Sequence, residues 1–157
     1  MQYGYFDNEK REYVIDNVAL PCSWTNYLGV EDMAAVINHT AGGYLFYKTP
    51  EYHRISRFRG NGVAMDRPGF YVYIRDNEKK DYHSISWQPV AKDLSKAKYR
   101  CRHGLSYTVY ESEYDGLASS QTMVIPCGEN VLLWDVKVKN TTDAVRNLSL
   151  FTYIDRK

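Results

Sequence analysis

Three arginines set between apolar residues, Arg54-Ile55-Ser56-Arg57-Phe58-Arg59, are the part of this chain whose residue types and spacing best suit chemistry. A guanidinium keeps its charge at any ordinary pH. It offers a planar fork of donors that fits a carboxylate, a phosphate or an aromatic face. Tyr47 precedes the cluster, and Asp66-Arg67 follow it in a Gly/Pro-bounded turn, MDRPG. Two readings of Asp66 stand: it braces the turn through Arg67, or it is an acid. The acid reading needs a second carboxylate or an external nucleophile, and nothing local supplies one. The arginines either pair with carboxylates, line an anionic pocket or sit in an interface. Tyr44, Tyr47, Tyr52, Tyr71 and Tyr73 form a face that could stack on sugar rings or serve as ordinary sheet packing.

Other chemistries find little support. His39, His53, His83 and His103 are not paired at i+2 or i+4, and none sits beside a cysteine at zinc spacing, so no metal site is expected. Ala41-Gly42-Gly43 precedes a strand rather than a helix N-terminus, which suits a tight turn or bulge and not a phosphate cradle. There is no G-x-S-x-G. Cys22, Cys101 and Cys127 are odd in number and form no C-x-x-C, which points to reduced thiols in a cytosolic protein, with one disulfide as the lesser option. The sequons at Asn38, Asn140 and Asn147 read as turn and strand residues, because no signal peptide opens the chain. No catalytic residue is assigned from the residues alone.

The 157 residues carry 20 basic and 19 acidic side chains, a net charge of +1. That balance argues against a nucleic acid or a membrane as partner, and no window is long enough to span a bilayer. Fifteen tyrosines suit half-buried sheet faces.

The elements that must position these residues read as strands. Short strands are expected at Tyr3–Phe6 and Glu12–Ile15, with a loop over Asp7–Arg11 between them. Pro21–Gly29 reads as irregular. Glu31–Ile37 fits a helical period in part, but its length favours a strand. Gly43–Tyr47 and Phe70–Arg75 are aromatic strands. The second sets Tyr71, Tyr73 and Arg75 against Phe70, Val72 and Ile74. A charged turn is expected at Asp76–Tyr82, an edge strand at Ser84–Val90, and strands at Tyr99–Arg102 and from Leu105 to Tyr110. A turn over Glu111–Gly116 then leads to a strand at Leu117–Ile125. Val131–Lys139 alternates cleanly, with Leu132, Trp134, Val136 and Val138 inward. After a turn at Asn140–Ala144, Arg146–Ile154 puts Leu148, Leu150, Thr152 and Ile154 on one face. Such alternation at intervals of about ten residues is the pattern of an all-β antiparallel sandwich.

Several of these segments, in this order, resemble the N-terminal domain of the inverting glycoside phosphorylases that cleave cellobiose and N,N′-diacetylchitobiose. They are YGYFDNEKREYVI (Tyr3–Ile15), WTNYLG (Trp24–Gly29), AGGYLFYKTPEYHRISRFR (Ala41–Arg59), MDRPGFYVYIRD (Met65–Asp76), SISWQPVAK (Ser84–Lys92) and RHGLSYT (Arg102–Thr108). The pair around Trp134-Asp135-Val136 and Asn140–Asp143 follows, and MDRPG, YVYIRD and SISWQPVAK look closer to the chitobiose branch.

The resemblance implies a galactose-mutarotase-like supersandwich, with residues 1–157 forming an N-terminal part of it and the catalytic (α/α)6-barrel absent. It implies a cytoplasmic homodimer that needs no cofactor and converts a β-1,4-linked disaccharide and inorganic phosphate to a sugar 1-phosphate and a free sugar. One acid suffices in such a reaction, since phosphate itself is the nucleophile, and that acid belongs to the barrel. The chain alone is then expected to be inactive. Tyr47, Arg54, Arg57, Arg59, Asp66 and Arg67 are the candidates for a substrate rim or an inter-subunit contact. A stand-alone carbohydrate-binding module and a pure assembly domain are the competing readings.

Overall fold

The computed structural model describes residues 2–58 and 68–156. Twelve strands are found there, and no helix. They are β1 (Gly4–Asp7), β2 (Glu12–Ile15), β3 (Thr25–Leu28), β4 (Met33–Asn38), β5 (Gly43–Tyr47), β6 (Phe70–Asp76), β7 (Asp81–Ser84), β8 (Ala97–His103), β9 (Tyr107–Tyr114), β10 (Leu117–Val124), β11 (Leu133–Asn140) and β12 (Leu148–Ile154). One sheet has the order β1-β2-β8-β9-β10-β11; two smaller ones run β12-β6-β7 and β3-β4-β5. Every pairing is antiparallel.

Period-two burial explains why the long strands form. β10 alternates buried and half-buried residues along its whole length. In β11, Trp134, Val136 and Val138 turn inward, while Leu133, Asp135 and Lys137 face water. One core draws on all three sheets, through Ile15 and Met123 of the first, Phe70 and Ile74 of the second, and Leu28 and Ile37 of the third.

Specific contacts pin the sheets together. Phe70 meets Trp134 edge-on at 5.9 Å, and Gln121 Nε2 donates to the Phe70 carbonyl at 2.9 Å. Tyr110, fully buried, donates its hydroxyl to the Asn38 carbonyl at 2.7 Å, which ties the first sheet to the third. At the corner where β5 and β6 begin, Gly42 bridges Gly69, and Phe70 N donates to Ala41 O at 2.9 Å.

Several expectations are corrected. Pro21–Gly29 is not irregular throughout: Thr25–Leu28 forms β3, held by Asn26, whose Nδ2 donates to Gly104 O, Tyr107 O and Thr108 Oγ1. Ser84–Val90 is not an edge strand. The strand lies earlier, at Asp81–Ser84, beginning in the last two residues of what reads as a charged turn. The chain then turns through Trp87, at φ 66°, and a cis Gln88–Pro89 bond. Glu111–Gly116 is not one turn. β9 runs on to Tyr114, because Glu111 and Glu113 point outward to Arg102 and Lys98 while Ser112 turns inward to Ser119. Only Asp115-Gly116 make the turn. Tyr71 is not on an open face but 2% exposed, stacked on Tyr153 at 6.0 Å. The three cysteines are free.

Candidate functional site

The residues singled out for chemistry meet where β5 leaves its sheet. Gly43 opens β5: its φ is 151°, and a Cβ there would lie 2.0 Å from the Val36 carbonyl oxygen. Asn38 shapes the preceding turn, its Oδ1 accepting from Thr40 N at 2.9 Å and Gly42 N at 2.8 Å. Beyond β5 the chain reverses at Lys48, a non-glycine residue at φ 60°. That conformation is held by a bond from Lys48 N to Asp32 O.

Tyr47 donates its hydroxyl to Asp32 Oδ2 at 2.9 Å, with Lys48 Nζ 4.0 Å from the same oxygen. Arg54 forms a bridge with Phe46, and its Nε donates to Pro50 O at 3.0 Å. Its guanidinium stands 6.0 Å from the Tyr44 ring and 5.9 Å from the Phe58 ring, two rings 4.6 Å apart. The guanidinium lies to one side of this ring pair, within cation–π reach of both, and the cluster uses Tyr44 for packing rather than leaving it open as a sugar platform. Ser56 is buried, its Oγ accepting from Leu45 N at 2.8 Å. Arg57 reaches the end of β12: its N donates to Asp155 O at 2.8 Å and its Nε lies 3.5 Å from Asp155 Oδ2. Ser56 and Arg156 form a bridge alongside.

The structure thus brings Arg54 and Arg57, in the segment Thr49–Phe58, together with Tyr47 at the end of β5, whose N donates to His53 O at 2.9 Å. Arg59, Asp66 and Arg67 lie outside the described residues. Asp32 and Asp155, which flank the segment in space, are engaged by Tyr47 and Arg57, while Glu51 within it is exposed. Neither partner was legible in the sequence, since Asp155 lies 98 positions from Arg57 in the numbering.

The strongest electrostatics sit away from this segment and brace the fold. Glu12 is 3% exposed. It takes Arg102 Nη1 on both oxygens, at 3.1 and 3.2 Å, and the Tyr107 hydroxyl at 2.6 Å. Burial, with Lys92 nearby, pushes His83 down to about 4. Burial also pushes His103 down to about 4, against a hydrogen bond to the Trp24 carbonyl. The Cys101 thiol is raised well above its ordinary value by burial and is inert as a nucleophile. Among the described residues, no three His, Cys, Asp or Glu side chains are placed to hold a metal ion. What this arrangement can do chemically is hold, orient and recognise.

Antiparallel sheets sharing one core, with loops rather than a cleft carrying the arginines, define a β-supersandwich domain. The chain belongs to the glycosyl hydrolase 94 supersandwich-domain family, whose model matches residues 11–156. It is 53% identical to the N,N′-diacetylchitobiose phosphorylase of Vibrio proteolyticus over 155 residues, covering 99% of this chain and 19% of that protein. It is 51% identical to the enzyme of the same name from Vibrio furnissii, again over 99% of this chain and 19% of that protein. The solabiose phosphorylase of Paenibacillus borealis is 28% identical over 98% of this chain and 20% of its own length. The chain spans about a fifth of the length of the curated relatives it matches, and corresponds to an N-terminal portion of them.

Proposed function

We propose that this chain is the N-terminal scaffold of an inverting disaccharide phosphorylase acting on N,N′-diacetylchitobiose and inorganic phosphate. The observation that carries the reading is the 53% identity, over 99% of the chain, to a protein of that activity. The geometry supports a scaffolding share in it. Asp32 and Asp155, beside Thr49–Phe58, are engaged by Tyr47 and Arg57, which suits them to hold the segment rather than to protonate a glycosidic oxygen. Phosphate, as the attacking group, removes the need for a second carboxylate. The protein works in the cytoplasm, as a homodimer without a cofactor. The segment from Tyr47 to Phe58 forms part of the rim between subunits. Exposed Tyr52 and Phe58 and the half-exposed Arg57 have the composition of such an interface.

The test is a chimera in which this chain replaces the matching portion of the Vibrio proteolyticus enzyme. Phosphorolysis of N,N′-diacetylchitobiose should persist, and the 157 residues alone should give no turnover. Turnover by the isolated chain, or a folded chimera that prefers cellobiose, would overturn the reading.

A further inference from the structure

The outward face of the large sheet carries two rows of side chains set by strand register. One row crosses β8 to β11 as Lys98, Glu113, Ala118 and Lys139, and the next as Arg100, Glu111, Ser120 and Lys137. Their neighbours along the strands, Tyr99, Ser112 and Ser119, turn inward and are buried. Each row therefore reads cation, carboxylate, small residue, cation. Because Ala118 and Ser120 are short, β10 forms the floor of a trough between the charged side chains of β9 and those of β11. The face is hollow there: the two rows line a cavity of about 790 Å3, which Asp16 and Leu94 also line. Small-molecule sites occupy about 300–1,000 Å3.

The charges in the trough nearly cancel. Four cations, Lys98, Arg100, Lys137 and Lys139, stand with three carboxylates, Asp16, Glu111 and Glu113. A charged ligand would meet repulsion as well as attraction, whereas a neutral ligand rich in hydroxyls finds acceptors and donors together. Several of these groups are left for a ligand. Glu111 faces Arg100 across the strands but gives Oε1 to Arg102 Nη2 at 3.0 Å. Among the described residues, no carboxylate oxygen lies within 4.0 Å of a side-chain nitrogen of Arg100 or Lys139. The Lys98–Glu113 and Lys137–Asp135 pairs, at 3.2 and 3.0 Å, are exposed and contribute little, so a ligand can replace them at small cost.

We propose that this trough binds a neutral oligosaccharide, on the face of the large sheet turned away from the shared core. Glu111 and Glu113 accept from its hydroxyls on one side of the floor, and Lys137 and Lys139 donate to its hydroxyl or amide oxygens on the other. Four strands at a spacing of about 4.8 Å span about 14 Å, enough for more than one sugar ring. That the sugar is a β-1,4-linked N-acetylglucosamine oligomer rests on the reading given under Proposed function. Leu94, which is 41% exposed, and the Ala118 methyl offer apolar contact to its acetamido methyl groups. A site of this kind raises the local concentration of the sugar at the enzyme and takes no part in breaking the bond.

Methyl NMR tests this on the Vibrio chimera, with phosphate left out so that no sugar is consumed. The Ala118 methyl lies on the trough floor and is the local probe. N,N′,N″-triacetylchitotriose should shift it in a saturable way, with a Kd of about 1 mM or below. Ser120→Arg, which fills the floor from the exposed face, should weaken that binding by about tenfold or more. Leu105→Lys, in the exposed β8–β9 turn, should leave it intact, and inorganic phosphate added alone should not move the methyl. No shift with the trisaccharide overturns the proposal. So does a shift that phosphate reproduces, because the trough is then an anion site, and so does binding that survives Ser120→Arg. Should the chimera fail to fold, the 157 residues alone carry the same titration with the same outcomes. The Ala118 signal is read separately from turnover, so an empty trough in an active chimera and a filled trough in an inactive one are told apart.

Discussion

Arg146 grips Asp76 with two nitrogens on one oxygen: Nε lies 2.8 Å and Nη2 2.7 Å from Oδ2. The same guanidinium reaches the β9–β10 turn, where Nη2 binds Asp115 Oδ2 and Nη1 the Asp115 carbonyl, both at 2.8 Å. Asp76 ends β6, and Asp115 lies between strands of the large sheet, so a single side chain clamps one layer to the other. Asp76 is held below the usual carboxylate range, first by the Lys79 backbone N–H and then by Arg146.

Replacing Arg146 with Met should lower the thermal midpoint by several degrees, because it leaves a buried carboxylate without its partner. Lys should rescue little, since one ammonium cannot span both aspartates as the fork does. Differential scanning calorimetry of the two variants checks this. A midpoint unchanged in Arg146→Met would show that the clamp contributes nothing net.

Stability should fall as pH drops from neutrality. His83 and His103 are both pushed to about 4, mainly by burial, and His39 is lowered for the same reason. The fold favours their neutral forms, so their contribution is complete above the unfolded value of about 6.5 and is lost between there and about 4. Each of the first two accounts for up to about 3 kcal/mol across that window. Below it, Asp115, lowered chiefly by its bond from Lys79, and Asp76 add a second loss as they protonate. Urea unfolding at a series of pH values should show the decline beginning near 6.5. A His103→Gln variant should flatten part of the slope above pH 4. A flat profile between 6.5 and 4 would contradict the buried neutral state.

Gly43→Ala should destabilise by about 1–3 kcal/mol from backbone conformation alone, with the clash against Val36 O added to it. The denaturation midpoint reads the effect. Moving the same change to Gly128, whose Cβ would meet nothing within 4 Å, leaves only the strain of its φ of 81°. The difference between the two variants therefore isolates the steric part.

How far the sequence disclosed this structure follows from where each residue's partner lies. β11 was plain, because Trp134, Val136 and Val138 alternate with charged residues and the pattern is local. β3 was hidden: only Leu28 of its four residues is buried, and Asn26, which anchors it, bonds to atoms around positions 104–108. Glu111 and Glu113 looked like turn residues because their partners Arg102 and Lys98 belong to the neighbouring strand. Ser84–Val90 resembled a strand by composition, but Trp87 at positive φ and the cis bond before Pro89 break the run. At the candidate site, the grouping of Tyr47, Arg54 and Arg57 was legible from their spacing. Their engagement by Asp32, Tyr44 and Asp155 was not, because it depends on the three-dimensional course of β4, β5 and β12.

Tyr110→Phe should cost about 0.5–1.5 kcal/mol, the usual net worth of one hydrogen bond, because Asn38 O keeps its bond from Ala41 N at 3.1 Å. The hydroxyl is the donor to Asn38 O, and the ring is fully buried, so water has no ready route to replace it. Burial also raises the phenol well above its ordinary value, so the group stays a donor throughout the working pH range. Equilibrium unfolding checks the magnitude. A neutral substitution would mean that this bond adds nothing net to the junction of the first and third sheets, which Asn26 also joins.

Arg57 separates a structural role from an interface role. Its side chain is 45% exposed and its contact with Asp155 is 3.5 Å, so the pair contributes at most about 1 kcal/mol in the isolated chain. The backbone bond from Arg57 N to Asp155 O survives substitution and keeps the segment in place. Arg57→Ala should therefore leave the unfolding free energy of the isolated chain nearly unchanged. In the Vibrio chimera, where the segment forms part of the rim between subunits, the same change should weaken dimerisation or raise the KM for the disaccharide. Sedimentation velocity and initial-rate kinetics on one preparation read both quantities. If dimer and KM both stay at wild-type values, the rim assignment fails, and Arg57 is left as a surface residue that tethers β12 to the loop.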